Sequence, residues 1–193
     1  MIAEPIRFRF DAIEHAYTDL ETGDVLPSIT QMLLRTGWVD DTWFSEASCE
    51  RGTEVHRLTA EYDLGALDID SCVSPYRGYL LSHVKAMSIM RATVLEVEVP
   101  KVHPVLRFGG RPDRVLIAWG ARAVCDGKSG APAKSHAIQL ALQAILDSTD
   151  ALLPPEHIVR YALYWRPDGK FKLEEFKNRR DFDEARRILK VCT

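Results

Sequence analysis

Two aspartates and a lysine, Asp113, Asp126 and Lys128, fall within sixteen residues, on either side of a stretch that reads as a hairpin. Val115 to Ala118 is one strand-like run, and Ala123 to Cys125 begins another. Trp119-Gly120-Ala121-Arg122 is short enough to join them. Pairing Ala118 with Ala123 sets Asp113 opposite Lys128. Period-two alternation keeps Asp126 and Lys128 on the same face, with Asp126 the diagonal neighbour of Asp113. Carboxylates that meet in this way can hold a divalent cation, and an ammonium beside them can hold or deprotonate an attacking water. A slip of one residue would turn Asp113 to the opposite face, so the chemistry depends on register.

The rest of the chain must build the support. Strand-like pieces at 6–11 and 16–19 precede a turn at 21–24. Ser28 with Gln31 forms a capping box, predicting a helix that ends near Gly37. A second helix is expected from about 41 to 62, carrying Arg51-Gly52-Thr53-Glu54-Val55-His56. A third starts after Ser74-Pro75. From Thr93 the period becomes two, which predicts a strand with Leu95, Val97 and Val99 on its buried face. Ser135 is expected to cap an apolar helix on which His136, Gln139 and Gln143 form a single polar stripe. Two further strands, 158–165 and 171–176, and a helix over 181–190 complete the pattern. Helices, then strands around one helix, predict an α/β chain with a mixed sheet covered on both sides. It divides into a helical N-terminal layer over 28–92 and a sheet core over 93–193, within a single domain spanning 1–193.

Composition is that of a globular chain: 193 residues, 46% hydrophobic and 27% charged, with net charge -3. No apolar run reaches the length of a membrane span. The opening Met1-Ile2-Ala3-Glu4-Pro5 lacks the basic-then-apolar pattern of a secretory leader, so the expectation is a cytoplasmic protein. Cys49, Cys72, Cys125 and Cys192 are dispersed without a C-x-x-C pair, which argues for free thiols and against an iron-sulfur cluster. Charge is uneven: residues 1–60 carry 5 basic and 11 acidic side chains, and 157–193 carry 10 and 6. The C-terminal bias permits an anionic partner there, along Arg160, Lys170, Lys172, Arg179 and Arg180.

Four motifs together resemble the RecB-type branch of the PD-(D/E)XK nuclease superfamily, and the chain is also similar to phage exonucleases of the lambda type. They are His56 in Arg-Gly-x-x-x-His, Gly110-Arg111-Pro112-Asp113, Asp126-Gly127-Lys128-Ser129-Gly130, and Gln139 on the following helix. The resemblance implies a restriction-endonuclease-like α/β/α core, Mg²⁺ or Mn²⁺, and phosphodiester hydrolysis on DNA in a bacterial or phage-infected cell. Cleaving a phosphodiester needs charge stabilisation at phosphorus and an activated water, which a carboxylate-held divalent cation supplies. Asp113 and Asp126 are then the metal clamp, with the Gly127 carbonyl and the His56 imidazole as further ligands. Lys128 serves the water, and nearby metal would lower its pKa.

Gln139 joins the catalytic set, while Gln143 stands where the family often has Tyr. Glu98, rather than Glu96, is the further acid expected near the metal. Arg51, Arg111 and Ser129, within the same motifs, are expected DNA contacts. His15, His83, His103 and His157 read as structural. The functional expectation is an exonuclease of phage-type recombination or DNA processing, working with a single-strand annealing or single-strand-binding protein and able to self-associate. The alternatives are a structure-specific or non-specific endonuclease and a non-catalytic DNA-binding relative.

Overall fold

The computed structural model describes residues 4–40 and 45–193. Residues 1–3 and the expected start of the second helix at 41–44 lie outside them. Three short antiparallel strands, β1 (Phe8–Asp11), β2 (Ala16–Asp19) and β3 (Val25–Leu26), open the chain. The capping box then starts helix α1 (Ile29–Arg35): the Ser28 Oγ accepts the Gln31 N–H at 3.2 Å, and Gln31 Oε1 accepts the Ser28 N–H at 3.0 Å. Helices α2 (Glu46–Asp63) and α3 (Arg77–Met90) follow.

Next come β4 (Thr93–Val97), a two-residue pair β5 (Lys101–Val102) and β6 (Gly109–Gly110), and the hairpin β7 (Arg114–Ala118) and β8 (Ala121–Lys128). Helix α4 (Ser135–Ala151) crosses over to β9 (Val159–Trp165), which pairs parallel to β8. A hairpin leads to β10 (Phe171–Glu175), and α5 (Arg180–Cys192) ends the chain. The five-stranded sheet runs β10-β9-β8-β7-β4, mixed as expected for this α/β chain. None of the described helices is long and apolar enough to cross a membrane.

The β7–β8 hairpin is tighter than its sequence suggested. Trp119 and Gly120 alone form the turn, both at positive φ (48° and 85°), which matches the right-handed twist of the flanking strands. Ala118 therefore pairs with Ala121 rather than Ala123, and Arg114 with Cys125. Continued by one residue, this register faces Asp113 with Asp126, not with Lys128. Because the shift is two residues, every side chain keeps its face.

The expectation for β4 fails differently. It is the sheet edge, and a bulge falls between Val94 and Glu96 where it pairs with β7. Leu95 and Val99 are exposed, while Glu96 turns inward to the buried Lys101 Nζ at 2.6 Å. That ammonium also meets Asp147 at 3.0 Å and Asp150 at 2.7 Å on α4, and Asp147 takes Arg122 of β8 at 2.7 Å. A paired buried cation outweighs the apolar preference of an edge strand.

Two cores sandwich the sheet. On one face Val115, Val124 and Ala162 pack against α4, α5 and also α1 (Ile29, Met32, Leu33). On the other Leu116, Cys125 and Leu163 pack against Val55 of α2 and Met87 and Met90 of α3. The helices of 28–92 thus divide between the two faces instead of forming one layer. Ser135 is the buried first residue of α4 and makes no capping hydrogen bond. The position before it, Lys134, is already helical in φ and ψ, so an N-cap side chain has no suitable backbone to act from.

Candidate active site

Asp113 stands at the mouth of β7, after Pro112, and its carboxylate is the point on which three elements converge. Its Oδ2 accepts the backbone N–H of Gly127 from β8 at 2.7 Å and lies 3.4 Å from Nδ1 of His56 on α2. Glu98, just beyond β4, has φ of 49° and donates its N–H to the Asp113 carbonyl at 3.0 Å. This left-handed turn ends the strand alternation and separates Glu98 from Glu96, whose carboxylate goes to Lys101. His56, Glu98 and Asp113 each offer a ligand atom, and these atoms all lie within 4.8 Å of one another.

Asp126 stands beside this group on β8, almost wholly buried. Its Oδ1 accepts from Gln139 Nε2 and Gln143 Nε2, both at 3.1 Å, and its Oδ2 pairs with Lys128 Nζ. Lys128 also donates to Gln139 Oε1 at 3.1 Å. The α4 stripe therefore shares one face as its spacing predicted, with Gln139 and Gln143 on Asp126 and with His136 Nδ1 3.0 Å from the Tyr164 hydroxyl. Burial alone would push the Lys128 ammonium down, but the charges of Asp126 and Asp113 and the Asp126 hydrogen bond hold it above its ordinary range. The carboxylates act in the opposite sense to the metal effect expected from the sequence, and they keep Lys128 charged.

Behind the site lie residues that sequence reasoning passed over. Trp165 of β9 lies edge-on to His56, with ring centroids 5.2 Å apart, and to His83 at 5.7 Å. At the end of α2, Asp63 Oδ2 accepts Arg114 Nε at 2.7 Å, and Asp63 also takes His83 Nε2 at 2.9 Å. This buried knot ties the helix bearing His56 to the residue that follows Asp113. His83 is thereby structural, as expected. Asp63 lacked any motif, and only the odd burial of an Arg in the apolar run of β7 could have pointed to it.

The expected DNA contacts surround the site. Arg111 lies 3.3 Å from Glu98 and over the Phe10 ring at 5.7 Å. Arg51 is half-buried, and its Nε is fully buried without a hydrogen-bond partner. Ser129 lies beside Gly52 of α2. Two cavities meet here and share Thr30, His56 and Gln139. One, of about 620 Å³, holds Arg111, Glu98, Asp113 and the exposed His15; the other, of about 610 Å³, holds Arg51, Lys128 and Ser129. Three of the basic residues expected near the C-terminus are paired within the protein. Arg160 is buried on Asp181 at 3.0 Å, Lys170 pairs with Asp168 at 3.3 Å, and Lys172 pairs with Glu174 at 2.7 Å.

The residues fit a divalent cation on their own chemistry. An imidazole nitrogen and two carboxylates are donors that Mg²⁺ and Mn²⁺ accept, the imidazole favouring Mn²⁺. Beside them Gln143 Oε1 is buried with no hydrogen-bond partner, an acceptor left open on the same cavity. The sequence profile of the PD-(D/E)XK nuclease superfamily matches residues 11–192. The chain belongs to the PD-(D/E)XK nuclease superfamily. Nucleases of this superfamily use divalent metals, and the mixed sheet between helical layers is consistent with the restriction-endonuclease-like fold. Comparison with individually curated proteins gives no match.

Proposed function

We propose that the chain is a metal-dependent DNA nuclease that works from DNA ends, an exonuclease of phage-type recombination or DNA processing. The observation that carries the hydrolytic reading is the meeting of His56, Glu98 and Asp113 within ligand distance, next to Asp126 and Lys128 on one hairpin. In this reading Asp113, Asp126 and His56 hold Mg²⁺ or Mn²⁺, with the Gly127 carbonyl and Glu98 as further oxygen donors. The cation, when bound, supplies charge stabilisation at phosphorus and acidifies a water.

The chain's own groups do the rest. Lys128 holds the attacking water by its ammonium, and Gln139 and Gln143 keep the Asp126 carboxylate aimed. Arg51, Arg111 and Ser129 take the phosphates on either side of the scissile bond. Lys128 is paired with Asp126 in this structure, and its ammonium would be free to hold the water if that carboxylate were taken up by a metal.

What favours an end-directed enzyme is scale and charge. The two cavities flanking the site are each of a size that buries a small ligand, suited to a few nucleotides of one strand. The chain carries net -3, with little to hold a long duplex by its phosphates. Linear DNA with Mn²⁺ or Mg²⁺ should be degraded, while covalently closed circular DNA of the same sequence survives. Nicking or linearisation of the circle at a comparable rate would replace this reading by the endonuclease alternative. Self-association, and work alongside a single-strand annealing or single-strand-binding protein in a bacterial or phage-infected cytoplasm, belong to the same proposal.

A further inference from the structure

A third cavity, of about 450 Å³, opens beyond the one that holds Lys128. Trp38 and Ala133 line both, so the two adjoin and Trp38 stands at their boundary. Its walls are Trp38, Tyr164 and Phe176, with Pro132 and Ile138, and Lys134 on the rim. These aromatics are not equivalent. Tyr164 is buried, with Lys172 Nζ 5.4 Å from its ring centroid and His136 tilted against it. Trp38 and Phe176 are only partly buried, and Trp38 is fixed by its Nε1, which donates to Glu184 Oε1 at 3.3 Å. Among the described residues no ring or cation is stacked on Trp38.

Charge points the same way. The cavity's two carboxylates are engaged, Asp181 by Arg160 and Glu174 by Lys172, whereas Lys134 is exposed and makes no ion pair among the described residues. A held aromatic beside a free cation, adjoining the cavity of Lys128 and Arg51, is what an unpaired nucleotide requires: a face for the base and a charge for the phosphate.

We propose that the Trp38–Phe176 cavity is a base-stacking subsite for an unpaired nucleobase of the strand that runs through the candidate active site. The proposal rests on the nuclease reading for the strand's path but not for its own detection. Stacking of this kind is tolerant of sequence, so the subsite grips single-stranded DNA without choosing a base.

The probe is a single-stranded oligonucleotide carrying 2-aminopurine at successive positions, bound to the full chain with Ca²⁺ to suppress cleavage. Wild-type protein should quench the fluorophore at one narrow window of positions. Trp38→Leu should abolish that quenching and weaken binding by about 5- to 100-fold, and Trp38→Phe should retain most of both. In cleavage assays with Mn²⁺, Trp38→Leu should raise KM for single-stranded DNA. Hydrolysis of a small activated phosphodiester without a base should be unchanged, which a general packing defect would not allow. Phe176→Leu tests the opposite wall and carries the experiment if Trp38→Leu does not fold. Position-independent fluorescence with wild-type protein, or unchanged binding in both variants, overturns the subsite. Trp38-dependent quenching in a protein that cleaves no DNA would uphold the subsite and sink the nuclease reading, while DNA cleavage without quenching does the reverse.

Discussion

Gly127 lies against the indole of Trp165 so closely that a Cβ on Gly127 would come within 1.9 Å of the ring's Cη2. The glycine between Asp126 and Lys128 is therefore set by packing, and the same indole lies edge-on to His56. Gly127→Ala should destabilise the fold by about 1–3 kcal/mol or more through overpacking. It should also weaken Mn²⁺ binding by displacing His56. Adding Trp165→Leu should recover part of the melting temperature without restoring metal affinity. Thermal melts with and without Mn²⁺ read both effects, and a wild-type melt for Gly127→Ala would show that the strand yields freely here.

Asp126→Asn and Lys128→Ala should each abolish DNA cleavage in a protein that still folds. In the proposed mechanism Asp126→Asn loses one of the charges assigned to the metal, so its Mn²⁺-dependent rise in melting temperature should shrink, whereas Lys128→Ala should keep most of it. Cleavage near the wild-type rate by either variant would remove that residue from the chemistry.

His56→Ala should reduce activity by about 10- to 100-fold, the effect typical of losing a ligand or its support. The loss should be partly offset by raising Mn²⁺, because the defect is one of occupancy. A deficit that no concentration of metal relieves would assign His56 to packing against Trp165 instead.

Asp63 makes a separate test of positioning. Asp63→Ala leaves Arg114 buried without its counter-ion, a change that costs about 3–5 kcal/mol in comparable pairs. Asp63→Asn keeps the shape and one hydrogen bond and should lose less. If α2 is aligned to β7 through this pair, Asp63→Asn should show weaker Mn²⁺ affinity at a temperature where it is fully folded.

Stability should fall with acid in two stages. Burial pushes His136 down to about 4, with the Lys128 charge adding to it, and burial also lowers His83 despite the pull of Asp63. Both imidazoles are neutral in the native state and take up protons more readily when unfolded. Their contribution is complete above the ordinary histidine value near 6.5 and is lost as pH falls from there toward about 4. Asp63 and Asp147 are held below the carboxylate range because their partners, His83 with Arg114 and Arg122 with Lys101, outweigh burial. Their contribution disappears only below about pH 4. Denaturant midpoints from pH 8 to 3 should show the first decline in His136→Gln reduced relative to wild type.

Much of this protein was legible in its residues because the signals were local. The capping box of Ser28 and Gln31, the α4 stripe at spacings of three and four, and the face shared by Asp126 and Lys128 follow from helix and strand periods that tertiary packing did not override. The motifs pointed to the PD-(D/E)XK nuclease superfamily for a similar reason, since the residues of each lie close together in sequence. What the tertiary structure decided was anything set by a second element. The two-residue turn at Trp119-Gly120 moved the register by two, which spared the faces but exchanged the partner of Asp113. Glu98 joined His56 and Asp113 only through a left-handed residue that ends the alternation of β4, and Leu95 went to solvent because β4 is an edge. Arg160, expected to face an anionic partner, is instead buried on Asp181 of α5, and Asp63 and Trp165 carry no motif that marks them as lying behind one site. A side chain's period is written in its own segment, whereas its counter-ion and its neighbours depend on which distant segment the fold brings to it.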